Sequence, residues 1–298
     1  MSTPVWEPDA ARCAASNLAR FLDVLKPRAG RMLSCDDLHR FSVNEPESFW
    51  VELWDFVGIK GEKGERPWLI DAERMPGARF FPNARLNYAE NALSRRGPDA
   101  ALVFWGEDKM KARMSWDELR EDVGRFQSFL TDARVESDDR VVAMLPNMPE
   151  SVVGLLGAAS NGAVWSSCSP DFGVQGVIDR FSQIAPKVLI ACDGYFYAGK
   201  EIDLADKLAG ILPLLPSVEH VIIVPYLGHA EAVVAHLKAD SGSHGRHIMT
   251  WRDAVGSRPP SEPEFARLPF SHPIYILFSS GAFRCQRRTC RHQHAQGR

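Results

Sequence analysis

The sequence predicts an α/β fold in which a mostly parallel sheet carries helices on both faces. From Arg140 onward, short apolar runs at 141–145, 163–167, 188–191 and 221–224 alternate with stretches whose apolar residues recur at helical spacing. The connections are short and closed by turn formers: Pro146-Asn147, Asn161-Gly162, Pro186 and Pro216. Strands that alternate with helices through short connections pair in parallel, with the helices returning over the sheet. Runs that are apolar throughout, rather than alternating, belong to strands buried on both faces.

Ahead of that rhythm, residues 1–35 read as an N-terminal extension, in which Leu18, Phe21, Leu22 and Leu25 share one helical face. A helix over 45–56 gathers Phe49, Trp50, Leu53, Trp54 and Val57 into an aromatic stripe, expected to be buried as core. Residues 102–105 and 109–114 flank Gly106-Glu107-Asp108 as a short-turn hairpin. Ser115 with Glu118 has the spacing of a capping box, opening a helix whose apolar face is Trp116, Leu119, Val123, Phe126 and Leu130. Helices follow around 152–159, 174–184, 204–215 and 229–237. Five prolines then mark 256–273 as a connecting stretch, which delivers the chain into a short apolar strand at 274–278. That strand ends in Ser279-Ser280-Gly281, and a strand emptying into a small glycine-containing turn is where α/β folds place phosphate-binding loops.

Composition narrows the classes. The 298 residues are 45% apolar and 24% charged, enough to bury a sizeable core. No run approaches the roughly 20 apolar residues that cross a bilayer, so a cytoplasmic protein with no membrane partner is expected. Six cysteines at irregular spacing do not form a disulfide framework. The net charge is −3, and the five arginines of 282–298 hide a more acidic body, which argues against nucleic acid as a partner.

Two single residues invite a role. Asp171 sits after a strand at the ligand-binding edge of a parallel sheet, but it also precedes a glycine and the 174–184 helix, and capping that helix is the reading preferred. Cys168 has no neighbouring base in sequence to lower its pKa and is expected to be a buried structural thiol.

Longer stretches carry a resemblance. Phe80-Phe81-Pro82-Asn83-Ala84-Arg85-Leu86-Asn87-Tyr88-Ala89-Glu90-Asn91-Ala92-Leu93 resembles a segment of the acetyl-CoA and acetoacetyl-CoA synthetase branch of adenylate-forming ligases. So does the Trp50/Trp54 helix. Trp165-Ser166-Ser167-Cys168-Ser169-Pro170-Asp171-Phe172-Gly173, continuing to Asp179-Arg180-Phe181 and to Ile184-Ala185-Pro186-Lys187-Val188-Leu189, is similar to the acetoacetyl-CoA synthetases in particular. The resemblance divides the chain into an extension at 1–35, an acetyl-CoA-synthetase-type N-terminal region at 36–98, an incomplete AMP-binding domain at 99–281, and a basic tail at 282–298.

The resemblance implies a two-step reaction. A carboxylate, acetoacetate, attacks the α-phosphate of ATP, held with Mg2+, and releases pyrophosphate; the thiol of CoA then attacks the acyl-adenylate and releases AMP. It makes Ser279, Ser280 and Gly281 the start of the ATP phosphate loop, whose backbone N–H groups and hydroxyls meet the charge gathering on the leaving pyrophosphate. By position in the family, Tyr197, Ala198, Gly199 and Lys200 form a turn facing CoA, with Tyr197 standing where relatives often have Arg.

After Gly281 the pattern breaks. Ala282-Phe283-Arg284-Cys285-Gln286 stands where Thr-Thr-Gly-x-Pro begins in the family, and no Pro-Lys pair follows. The tail is rich in Arg, Cys, His and Gln without periodicity, as an out-of-frame read would be. Cys285, Cys290, His292 and His294 match no usual zinc spacing, so no metal is expected. The sequence therefore predicts a truncated, inactive ligase-family chain with no catalytic residue of its own. The alternative is a non-catalytic binding or interaction module, or a non-functional frameshift product.

Overall fold

A computed structural model describes residues 5–29, 34–107, 110–240, 242 and 245–278. Its described residues divide into two compact units, 5–86 with 267–271, and 87–266 with 272–278.

The first unit is mainly helical: α1 (Ala10–Ala14), α2 (Asn17–Ala29), α3 (Cys35–Asn44) and α4 (Pro46–Val57). Helix α4 has Pro46 in its first turn, where the missing N–H costs nothing, and stops at Gly58, whose φ of 67° suits a residue without Cβ. Short strands β1 (Gly61–Glu62), β2 (Leu69–Ile70), β3 (Arg79–Phe80) and β4 (Arg85–Leu86) pair as β2 with β3 and β1 with β4. The core here is small, built on Trp54, Phe81 and Ala84. The aromatic stripe of α4 is only partly buried, contrary to the expectation: Trp54 is covered, but Trp50 is 42% and Val57 54% exposed.

The second unit holds the main core. Helix α5 (Tyr88–Ala92) is capped by Asn87, whose Oδ1 accepts from the Ala89 N–H at 2.9 Å. The buried Asn87 amide also donates to the Ala159 carbonyl at 2.9 Å and to that of Ala266 at 3.1 Å. Next come the antiparallel hairpin β5 (Ala100–Trp105) and β6 (Met110–Ser115), then α6 (Trp116–Asp132) with the expected capping box between Ser115 and Glu118. The alternation that follows is β7 (Arg140–Met144), α7 (Pro149–Asn161), β8 (Val164–Cys168), α8 (Val174–Phe181), β9 (Val188–Cys192), a hairpin of β10 (Gly194–Tyr197) and β11 (Lys200–Asp203), α9 (Ala205–Ile211), β12 (His220–Val224), α10 (Ala230–Ala239) and β13 (His247–Thr250).

Among the described residues, five of these strands form one sheet in the order β13-β12-β9-β7-β8, and every pairing in it is parallel. The α/β prediction and its four strands hold; β13 is an addition that the sequence did not announce. Every residue of β9 is buried, as is all of β7 and β12 beyond the first residue. Successive side chains point to opposite faces, so this sheet is covered on both sides. Among the described residues no helix is long and apolar enough to cross a membrane.

Candidate functional site

Because the five strands run in parallel, Met144, Cys168, Cys192, Val224 and Thr250 all end at one edge of the sheet, and the loops after them gather there. Residues 274–276 lie beside β8 in the same direction. The Trp165 N–H donates to the Ile274 carbonyl at 3.0 Å, the Ile276 N–H to the Trp165 carbonyl at 2.8 Å, and the buried Ser166 hydroxyl to the Ile276 carbonyl at 2.8 Å. The expected strand at 274–278 is realised as a single parallel bridge between Trp165 and Tyr275 rather than a ladder. Its direction carries the chain toward the edge where β8 ends. Ser279, Ser280 and Gly281 lie outside the described residues, as do Cys285, Cys290, His292 and His294. Among the described residues no group of three or more His, Cys, Asp or Glu is placed to hold a metal ion.

The last residue of β8 and the loop after it hold the two residues weighed from sequence, Cys168 and Asp171. Asp171 is exposed and does not cap α8. The N-cap is Gly173, in extended backbone and without a side chain, so no side-chain cap is made. The loop is fixed by other contacts: Lys207 Nζ donates to the Pro170 carbonyl at 2.8 Å, and the Arg180 guanidinium lies 4.4 Å over the Phe172 ring. Cys168 is buried, and burial pushes its thiol up to about 12; Cys192 is raised to about 12 for the same reason. Since the thiolate is the nucleophile, brief treatment of the native chain with a maleimide is expected to label the exposed Cys13 and Cys35 and to spare Cys168 and Cys192. Peptide mass mapping reads this, and labelling of Cys168 as fast as Cys13 would overturn it.

The β10–β11 hairpin brings Tyr197, Ala198, Gly199 and Lys200 together at its tip. Ala198 and Gly199 both have positive φ, 51° and 73°, as a two-residue hairpin turn of type I′ requires. Gly199 adopts this freely, whereas Ala198 does so at some strain. Tyr197 is 63% exposed and Lys200 is exposed as well. The two turn N–H groups are both engaged: Ala198 N donates to Glu107 Oε1 and Gly199 N to Glu107 Oε2, each at 3.0 Å. Glu107 comes from the β5–β6 turn, and the two hairpins also meet through Lys111, 4.9 Å over the Phe196 ring, and through Tyr226, packed against Phe104 and Phe196.

Asp193, at the end of β9, is the organising residue that sequence reasoning passed over. It is fully buried, and its carboxylate accepts from the N–H groups of Tyr226 at 2.8 Å, Leu227 at 2.9 Å and His229 at 2.6 Å. One side chain thus fixes the loop after β12 onto the end of β9. The only signal in sequence is an acid directly following a wholly apolar run.

A separate cavity of about 330 Å3 opens at the opposite edge of the sheet, lined in part by Lys187, Glu219, His220 and His247. The His220 and His247 rings stack at 5.0 Å from paired positions of β12 and β13. Burial, followed by the neighbouring His247, holds the His220 pKa below its ordinary value. The unfolded chain restores that value, about 6.5, so it takes up the extra proton as pH falls. The stability that this provides is complete above pH 6.5 and is lost as pH drops from there through the lower folded value. Urea midpoints at pH 7.5 and 5.5 are expected to fall less for His220→Phe than for the parent; equal falls would remove His220 from the account.

The sequence also matches known proteins. A profile described as "AMP-binding enzyme" matches residues 89–282, and one described as "Acetyl-coenzyme A synthetase N-terminus" matches 35–92. The chain is 45% identical over 279 residues to the acetoacetyl-coenzyme A synthetase of Rhizobium meliloti, covering 93% of this chain and 41% of that protein. It is 35% identical to the acetoacetyl-CoA synthetase of Macaca fascicularis, again covering 93% of this chain and 41% of the relative. A solved structure, acetoacetyl-CoA synthetase from Streptomyces lividans, superposes with a TM-score of 0.83 at 37% identity, covering 94% of this chain and 42% of that one. The chain thus spans about two fifths of the length of these relatives.

Proposed function

The chain belongs to the AMP-binding enzyme family, and from that premise we propose that it carries the N-terminal part of an ATP-dependent acetoacetate–CoA ligase and does not form the acyl-adenylate by itself. The observation that carries the reading is likeness to acetoacetyl-CoA synthetases across nearly the whole chain, rather than at one motif. The substrates in this reading are acetoacetate, ATP with Mg2+, and CoA, handled in the cytoplasm. Ser279, Ser280 and Gly281 begin the loop that cradles the departing pyrophosphate, and Tyr197, Ala198, Gly199 and Lys200 form a turn facing CoA. The parallel bridge at Trp165 and Tyr275 supports the first assignment, since it directs the chain to the edge where α/β folds bind ligands. The exposed lysine and the anion-binding N–H pair support the second.

The test of substrate class joins residues 1–281 to the downstream sequence of the Rhizobium relative. With ATP and CoA, pyrophosphate release is expected to be faster with acetoacetate than with acetate. Equal rates, or a preference for acetate, would overturn the acetoacetate reading.

A further inference from the structure

We propose that Glu107 is a built-in latch on an anion site at the β10–β11 turn, so that a phosphate-bearing ligand binds there only by expelling it. The N–H groups of Ala198 and Gly199 point to one spot, each 3.0 Å from a different oxygen of the same carboxylate. Consecutive N–H groups that converge in this way form a concavity for anions, and a phosphate presents the same pair of oxygens that Glu107 presents. The turn conformation is what makes the pair converge: both residues have positive φ, and the alanine holds it in spite of its Cβ. Lys200, next in sequence and exposed, adds positive charge beside the site.

The carboxylate arrives from a separate hairpin, 91 and 92 positions away from its two donors. Phe104, Tyr226 and Phe196 form the packed base on which the two hairpins rest. Expelling Glu107 therefore requires only that an exposed side chain swing into water, while the aromatic base stays in place. For the identity of the ligand the proposal rests on reading 197–200 as the CoA-facing turn; the latch itself does not.

The apparent affinity of a site occupied by its own competitor is reduced by the fraction of molecules in which it stands open. With the latch closed in about nine molecules of ten, removing it raises affinity about tenfold. The experiment titrates inorganic phosphate into the full chain and follows the amide resonances of Ala198 and Gly199. Glu107→Gln and Glu107→Ala are compared with the parent and with Glu201→Gln, which removes one exposed acid of the same hairpin that does not hold the turn N–H groups. An affinity gain of about tenfold in Glu107→Ala, with a smaller gain in Glu107→Gln, whose amide oxygen still accepts from one turn N–H, and less than twofold in Glu201→Gln, supports the latch. An equal gain in Glu201→Gln shows bulk charge alone and overturns it, as does no gain in either Glu107 variant. CoA is titrated in parallel: phosphate binding that obeys the latch while CoA fails to move the same amides leaves the latch standing and removes the CoA assignment.

Discussion

Incubated with acetoacetate, ATP and labelled pyrophosphate, the purified chain is expected to show no exchange above a protein-free control. Adenylate formation makes a specific demand on the site. Pyrophosphate leaves with charge gathering on its oxygens, and the rate depends on donors already fixed around it. In the reading proposed above, only Ser279, Ser280 and Gly281 of the phosphate loop are present; Ala282-Phe283-Arg284 stands in place of the two threonines and the following glycine, and no Pro-Lys pair follows. Removing one such preorganised donor costs about 100- to 1000-fold in rate. Several are replaced together, in a chain that spans roughly two fifths of its relatives' length. Arg284, Arg287 and Arg288 bring positive charge, but charge alone replaces neither the threonine hydroxyls nor the glycine of the loop. The control restores the downstream family sequence after Gly281. Exchange in the restored version alone is the expected result, and exchange in the short chain would show that the break after Gly281 leaves a working site.

How much of this was legible in the sequence depends on whether a residue's neighbours were local. The sheet strands β9 and β12 stand out because the runs at 188–191 and 221–224 are apolar throughout and the helices before them are closed by Pro186 and Pro216, and the capping box at Ser115 and Glu118 acts within one helical turn. Strand His247–Thr250 is not legible because only two of its four residues, Ile248 and Met249, are apolar, too short a run to mark a strand. The helix with Trp50, Trp54 and Val57 was found, but periodicity identifies a face and not what covers it, so Trp50 and Val57 were wrongly expected inside. Between two acids at the ends of strands, the wrong one drew attention. Asp171 has a helix start close after it in sequence, whereas the partners of Asp193 lie 33 to 36 residues away and become visible only when β9 and β12 pair. Glu107 is a stronger case, since its partners belong to a separate hairpin.

Asp193→Ala is expected to destabilise the second unit by about 3–6 kcal/mol, a large share of the roughly 5–15 kcal/mol that holds a typical domain. The carboxylate is fully buried and is held by three backbone N–H groups, those of Tyr226, Leu227 and His229. The carboxylate has no exposed surface, so truncation removes the shared partner of three N–H groups, at about 1–3 kcal/mol for each that water does not reach. The sum is held below the simple total because the loop after β12 can relax and recover part of the loss. Asp193→Asn separates hydrogen bonding from charge. Oδ1 takes both the Tyr226 and Leu227 N–H groups, and an amide oxygen placed there keeps both; the amide NH2 then faces the His229 N–H, donor against donor. Asn is therefore expected to cost about one donor, roughly 1–3 kcal/mol, and Ala clearly more. Urea titrations of the parent and both variants, followed by far-UV circular dichroism, read the order directly. If Asn costs as much as Ala, the negative charge rather than the count of satisfied donors holds this corner. If neither shifts the midpoint, the three hydrogen bonds do not hold the loop to the end of β9.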